Sequence, residues 1–170
     1  MRKIILILTA VVIVLLIILL NFKNIQKLIY RQDYEEYVEK YAKENNVDPL
    51  LIYAIIKAES NFDDEAVSGR GATGLMQLMD NTAKEVATNE MIEYVSSESL
   101  FDPETNIKLG VKYFANLLEI FNNNAVALAA YNAGMGTVQG WIDEGIIKAD
   151  GSDIEYIPYN ETNMYVRKIL

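Results

Sequence analysis

Residues 54–79 read AIIKAESNFDDEAVSGRGATGLMQLM: an apolar helix end, one glutamate, a glycine-studded turn and an apolar run carrying a single amide. The helix starts upstream at Val47-Asp48-Pro49. Asp48 is placed to cap it, Pro49 to take the first helical position, and Val47 to staple against Ile52. Steps of three and four put Ile52, Ile55, Ile56 and Glu59 on one face, so the core-facing stripe ends in a carboxylate. A glutamate at a helix end is ordinarily solvated. On an apolar stripe it is either desolvated or at the mouth of a cleft, and desolvation raises a carboxyl pKa toward the range a general acid needs at neutral pH. Beyond Ser60, the turn residues Ser68-Gly69-Arg70-Gly71 and Gly74 predict a loop or a small β-hairpin. Gln77 then sits among Leu75, Met76, Leu78 and Met79, a position that suits a satisfied buried amide as well as a ligand contact. A helix is expected over 80–88, capped by Asp80 or Asn81.

Upstream, residues 22–44 carry a helical period with Tyr34, Tyr37, Val38 and Tyr41 on one stripe, which reads as a helix packing a tyrosine-rich face onto the domain. Residues 4–20, IILILTAVVIVLLIILL, contain Thr9 as their one polar member. At ~1.5 Å per residue this segment reaches ~25 Å, the short end of a bilayer span. No small-x-small cleavage site follows in Asn21-Phe22-Lys23-Asn24, so a retained single-span anchor is expected rather than a cleaved signal peptide. Arg2 and Lys3 before the span and Lys23, Lys27 and Arg31 after it leave the orientation open. The expected organisation is a transmembrane anchor over 1–21, a stalk helix over 22–46 and a helical domain over 47–170.

Downstream, Asp102-Pro103 repeats the cap-plus-proline start. It opens a helix to about Phe121 with Ile107, Val111, Phe114, Leu118 and Phe121 on one stripe. Asn122-Asn123-Asn124 ends it. The run AVALAAYNAG over 125–134 reads as a small-residue central helix closed by Gly134, with Tyr131 and Asn132 at its exposed end. A short helix over 137–143 holds Trp141, and a last one, from about Thr162, holds Tyr165, Val166 and Ile169.

Composition narrows the chemistry. The formal net charge of −9 and the absence of any basic cluster argue against a nucleic-acid partner. Cysteine and histidine are both absent, which removes disulfides, thiol nucleophiles, histidine bases and the common zinc sites. No Asp-x-Asp-x-Asp-Gly calcium loop is present, and no metal or other cofactor is expected. Any reaction must run on carboxylates, hydroxyls and amides.

Six pieces stand in order across residues 47–170: Glu59-Ser60 with Phe62; Ser68 with Gly71-Ala72; Gly74-Leu75-Met76-Gln77; Asn106-Ile107 with Gly110-Val111 and Tyr113; Ala130-Tyr131-Asn132-Ala133-Gly134; and Glu161-Thr162 with Tyr165-Val166. Together they resemble the lytic transglycosylase domain of the soluble (Slt-type) family, related to goose-type lysozyme. The resemblance implies a mainly α, lysozyme-like α+β fold around a sugar cleft and peptidoglycan glycan strands as substrate. It implies cleavage of the bond between N-acetylmuramic acid and N-acetylglucosamine without water, leaving 1,6-anhydro ends. Carried over by position, Glu59 would be the single catalytic acid/base, and Ser68, Gln77, Met79, Tyr131 and Glu161 would hold the glycan. One carboxylate can be enough, because the muramic C6 hydroxyl is a tethered nucleophile. Two-carboxylate glycosidases instead activate water or form a covalent intermediate. Asp80 departs from the proline common at that position. Peptidoglycan lies outside the membrane, so the resemblance also implies an extracytoplasmic domain held by the N-terminal span.

Two other readings remain on the sequence alone. One is a non-catalytic glycan-binding scaffold in a cell-envelope complex. The other is a hydrolase like goose-type lysozyme, which would call on acidic groups such as Asp63, Asp64 or Glu65 to position water.

Overall fold

A computed structural model describes residues 11–13 and 34–170. The chain divides into two units, residues 1–33 and 34–170. Of the first, only residues 11–13 are described, and they are helical; most of the expected anchor, and the stalk over 22–33, lie outside the described residues. Among the described residues no helix is long and apolar enough to cross a membrane.

The second unit holds seven α-helices: α1 (Glu35–Glu44), α2 (Pro49–Glu59), α3 (Asp80–Asn89), α4 (Pro103–Phe121), α5 (Asn124–Ala133), α6 (Met135–Asp143) and α7 (Asn160–Ile169). Two 3-10 turns, Ser97–Phe101 and Ile154–Tyr156, join them. Helix α5 is the centre. Ala125 to Ala130 are all buried, and the four alanines among them let α4, α6 and α7 pack directly against it. Val38, Tyr41 and Ala42 of α1 are buried in the same core, so the tyrosine stripe of the sequence is a packing face. A satellite cluster of Leu78, Ala83, Val86, Ala87, Leu100 and Leu109 fixes α3 against α4.

The caps at two helix starts follow the sequence. Asp48 accepts from the Leu50 amide, and Asp102 from the Thr105 amide, each ahead of a proline. At α3 the sequence misleads: Met79 is the N-cap and makes no side-chain bond. Asp80 instead pairs with Lys84 at 2.7 Å and accepts from the Tyr94 hydroxyl at 2.8 Å. Helix α6 also begins two residues earlier than its expected start at 137, on Met135.

The expected β-hairpin reduces to two isolated antiparallel bridges, Val67 to Thr73 and Thr73 to Leu78, with no strand among the described residues. The chain reverses at Gly71 and Gly74, both at positive φ, and again at Gln77 with φ 47°, before any ladder can lengthen. What holds this loop is Asn106, a fully buried residue of α4. Its carboxamide oxygen accepts from the Met76 amide at 2.8 Å, while its nitrogen donates to the carbonyls of Thr73 at 2.9 Å and Leu100 at 2.8 Å. A side chain at Gly74 would collide with that amide, and one at Gly110 would collide with Met76.

Replacing Asn106 with alanine strands the Met76 N–H and the Leu100 carbonyl, each costing about 1–3 kcal/mol, while the Thr73 carbonyl keeps the Leu78 amide. Asn106→Ala is therefore expected to lose roughly 3–5 kcal/mol in urea unfolding. Asn106→Asp, which keeps the acceptor but turns a carboxylate on two carbonyls, should not recover it.

Candidate active site

Helix α2 ends on Glu59, and Ser60 follows as its C-cap. The stripe of Ile52, Ile55 and Ile56 is wholly buried, and Glu59 emerges from it half-buried. Burial pushes its carboxyl up to about 7. Three groups modify that value, and all lie on α7, which packs on α2. The Tyr165 hydroxyl lowers it, the Glu161 carboxylate raises it and the Lys168 ammonium lowers it. The negative end of the α2 dipole acts in the same direction as burial, disfavouring the carboxylate at this terminus.

Glu161, Tyr165 and Lys168 stand four and three residues apart, one face of a helix. The spacing makes that face legible once Glu161 is singled out, yet Tyr165 and Lys168 are absent from the site read off the sequence. Tyr165 has the most to say about the chemistry. Its hydroxyl is buried beside Glu59, close enough to lower the carboxyl pKa, but it closes no hydrogen bond of good geometry with any described residue. Burial raises its own pKa well above 10, so it stays protonated and can act only as a donor to an ionised neighbour.

Tyr131 reaches the same place from α5. Its hydroxyl donates to the Met76 carbonyl at 2.8 Å, and its ring packs on Tyr113 and Phe114 with centroids at 5.3 and 6.0 Å. Burial, then the Glu59 charge, raise its pKa. With its proton directed at Met76, the phenolic oxygen is left with lone pairs. The neighbouring Asn132 accepts from the Thr162 hydroxyl at 2.7 Å, which ties the end of α5 to the first turn of α7 and places exposed Glu161.

The remaining sequence candidates have structural tasks. The Ser68 oxygen accepts from the amides of Arg70 and Ala72, at 3.3 and 2.9 Å, and holds the tip of the loop. The Gln77 amide nitrogen donates to the carbonyls of Ala66 and Gly74, at 3.1 and 2.9 Å, and braces its two ends. Only the carboxamide oxygen of Gln77 and the proton of Ser68 are uncommitted. Met79 is 43% exposed and offers a bare thioether to solvent. Among the described residues no group of acidic side chains is arranged to hold a metal ion.

The chain matches the family described as Transglycosylase SLT domain over residues 36–151. It is 35% identical over 140 residues to the soluble lytic murein transglycosylase of Escherichia coli K12, covering 81% of this chain and 22% of that protein. It is 37% identical over 115 residues to the membrane-bound lytic murein transglycosylase C of Edwardsiella ictaluri, covering 62% of this chain and 32% of that protein. Among solved structures it is similar to an inactive mutant of the lytic transglycosylase Slt of Pseudomonas aeruginosa. The TM-score there is 0.76 at 38% identity, over 82% of this chain and 23% of that one. The chain thus spans between a fifth and a third of the length of these relatives.

The raised pKa of Glu59 has a cost in stability with a definite sign. Between about 4.5 and 7 the folded chain holds a proton that the unfolded chain has lost, so stability falls as pH rises through that window. Glu59→Gln, which mimics the neutral acid, should escape this fall. Its stability relative to the parent is expected to rise by up to about 3 kcal/mol between pH 4.5 and pH 8 in urea unfolding, at about 1.36 kcal/mol per pK unit. Parallel curves would mean that Glu59 titrates normally.

Proposed function

Because the chain belongs to the Transglycosylase SLT domain family, we propose that it is a lytic transglycosylase acting on peptidoglycan, with Glu59 as its single acid/base. The observation that carries this reading is one carboxyl poised at about 7 at the end of an apolar helix, faced by a buried hydroxyl that stays protonated. Near neutral pH a large fraction of Glu59 is protonated and can deliver its proton to the glycosidic oxygen. Once it has done so it is a carboxylate in a dry site. The Tyr165 O–H beside it favours that charged form. The same carboxylate next takes the proton of the muramic C6 hydroxyl as that oxygen attacks C1, closing the 1,6-anhydro ring. Tethering the nucleophile can contribute about 7–11 kcal/mol relative to an untethered one, so no second carboxylate is required. The Tyr131 oxygen, with its proton given to Met76, presents electron density toward positive charge developing at C1. Glu161, Met79, the Gln77 oxygen and the Ser68 hydroxyl are proposed to contact the glycan.

The anchor is part of the same proposal. The apolar run over 4–20 has the length and composition of a single span, and a relative over part of the chain carries the name membrane-bound. With peptidoglycan as substrate, the N-terminus lies on the cytoplasmic side and the domain outside.

The full chain, purified in detergent, is expected to release muropeptides with 1,6-anhydro ends from purified peptidoglycan. Glu59→Gln should reduce release at least 100-fold. Reducing ends, read by mass, would indicate a hydrolase, and release independent of Glu59 would indicate that this carboxyl is not the acid. Activity is expected to decline above about pH 7 as Glu59 loses its proton. Glu161→Gln removes a like charge, so it should move that alkaline limb to lower pH; an unmoved limb would separate Glu161 from the acid.

A further inference from the structure

One aromatic side chain beside the site has no assigned task. Tyr159 caps the start of α7 and is 54% exposed. Its ring meets that of buried Trp141, the chain's one tryptophan, at 90° with centroids 5.0 Å apart. We propose that the open face of Tyr159 is a saccharide-stacking subsite, taking the apolar C–H face of a neutral N-acetylhexosamine unit on the strand bound at Glu59. The proposal rests on the glycan-cleaving reading above.

Three observations support it. The ring is held edge-to-face by a residue of a different helix, so little of its freedom remains to be lost when a flat ligand covers it. It is also close in sequence to a group that Glu59 senses. Tyr159 lies two residues before Glu161, about 7 Å of backbone at most, and Glu161 is one of the charges that Glu59 senses. The tie from Thr162 to Asn132 locks this same turn against the end of α5 that carries Tyr131. Finally, the electrostatics select the ligand. The chain carries −9 overall, and Glu155 and Glu161, within four residues of Tyr159 in sequence, are both exposed. An anionic group would be repelled there, whereas a pyranose ring brings C–H groups and no charge. Tyr156 provides an internal comparison: it is 65% exposed in the adjoining turn and has no ring partner among the described residues.

The test uses the full-length Glu59→Gln chain in detergent with a β-1,4-linked N-acetylglucosamine hexasaccharide, read by the fluorescence of Trp141. A saturable change is expected. Adding Tyr159→Leu, which keeps bulk but removes the π-face, should weaken binding roughly tenfold. Tyr159→Phe should bind like the parent, and Tyr156→Leu should change nothing. The proposal is overturned by the absence of saturable binding in the parent, by unchanged affinity in Tyr159→Leu, or by an equal loss in Tyr156→Leu. Should Tyr159→Leu fail to fold, Tyr159→Trp decides: a larger ring face is expected to tighten binding, and unchanged affinity overturns the subsite. Peptidoglycan digestion by the chain with Glu59 intact is scored separately. Failure to cut would sink the catalytic reading, while the affinity ratios still judge the subsite.

Discussion

The peptide group of Met76 is gripped on both sides. Its N–H is taken by the buried amide of Asn106, and its carbonyl by the Tyr131 hydroxyl. Those two contacts fasten the loop between α2 and α3 to the two central helices. Met76 can lie so close to α4 only because residue 110 is glycine, and Asn106 can reach Thr73 and Leu100 only because residue 74 is glycine as well. Without this grip the loop would have to be held by sheet hydrogen bonds, and only isolated bridges are present. The position of Tyr131 beside Glu59 follows from the same contact, so loop architecture and site geometry share one support.

The electrostatic design is equally economical. The chain is acidic, yet one carboxyl is drawn into apolar surroundings where the charged form is disfavoured. The opposing influences come from a single face of α7. Burial dominates. Glu161, Tyr165 and Lys168 then adjust the balance in both directions, which makes α7 the element that tunes this carboxyl while α2 supplies it.

Much of this was legible from residue order. Asp48-Pro49 and Asp102-Pro103 mark two helix starts because a capping carboxylate and a missing N–H are local requirements, independent of the rest of the fold. The apolar stripe ending in Glu59 was visible because helical periodicity is local too. The cap of α3 was not, since Asp80 is drawn away by Lys84 and Tyr94, one of them brought in by tertiary packing. Nor could the sequence tell which way Gln77 turns. Its amide is as suited to a sugar as to the carbonyls of Ala66 and Gly74, and only the folded loop decides. Tyr165 illustrates the remaining gap: its spacing from Glu161 was on view, but the burial of its hydroxyl beside Glu59 is a property of packing alone.

That hydroxyl has a further meaning. A buried hydroxyl that closes no well-aligned hydrogen bond is normally a defect, and here it adjoins the carboxyl whose pKa burial raises to about 7. The phenol favours the ionised carboxyl and so offsets part of what burial does to it. In this sense the fold gives back, through one phenol, part of the solvation that it takes from the carboxylate.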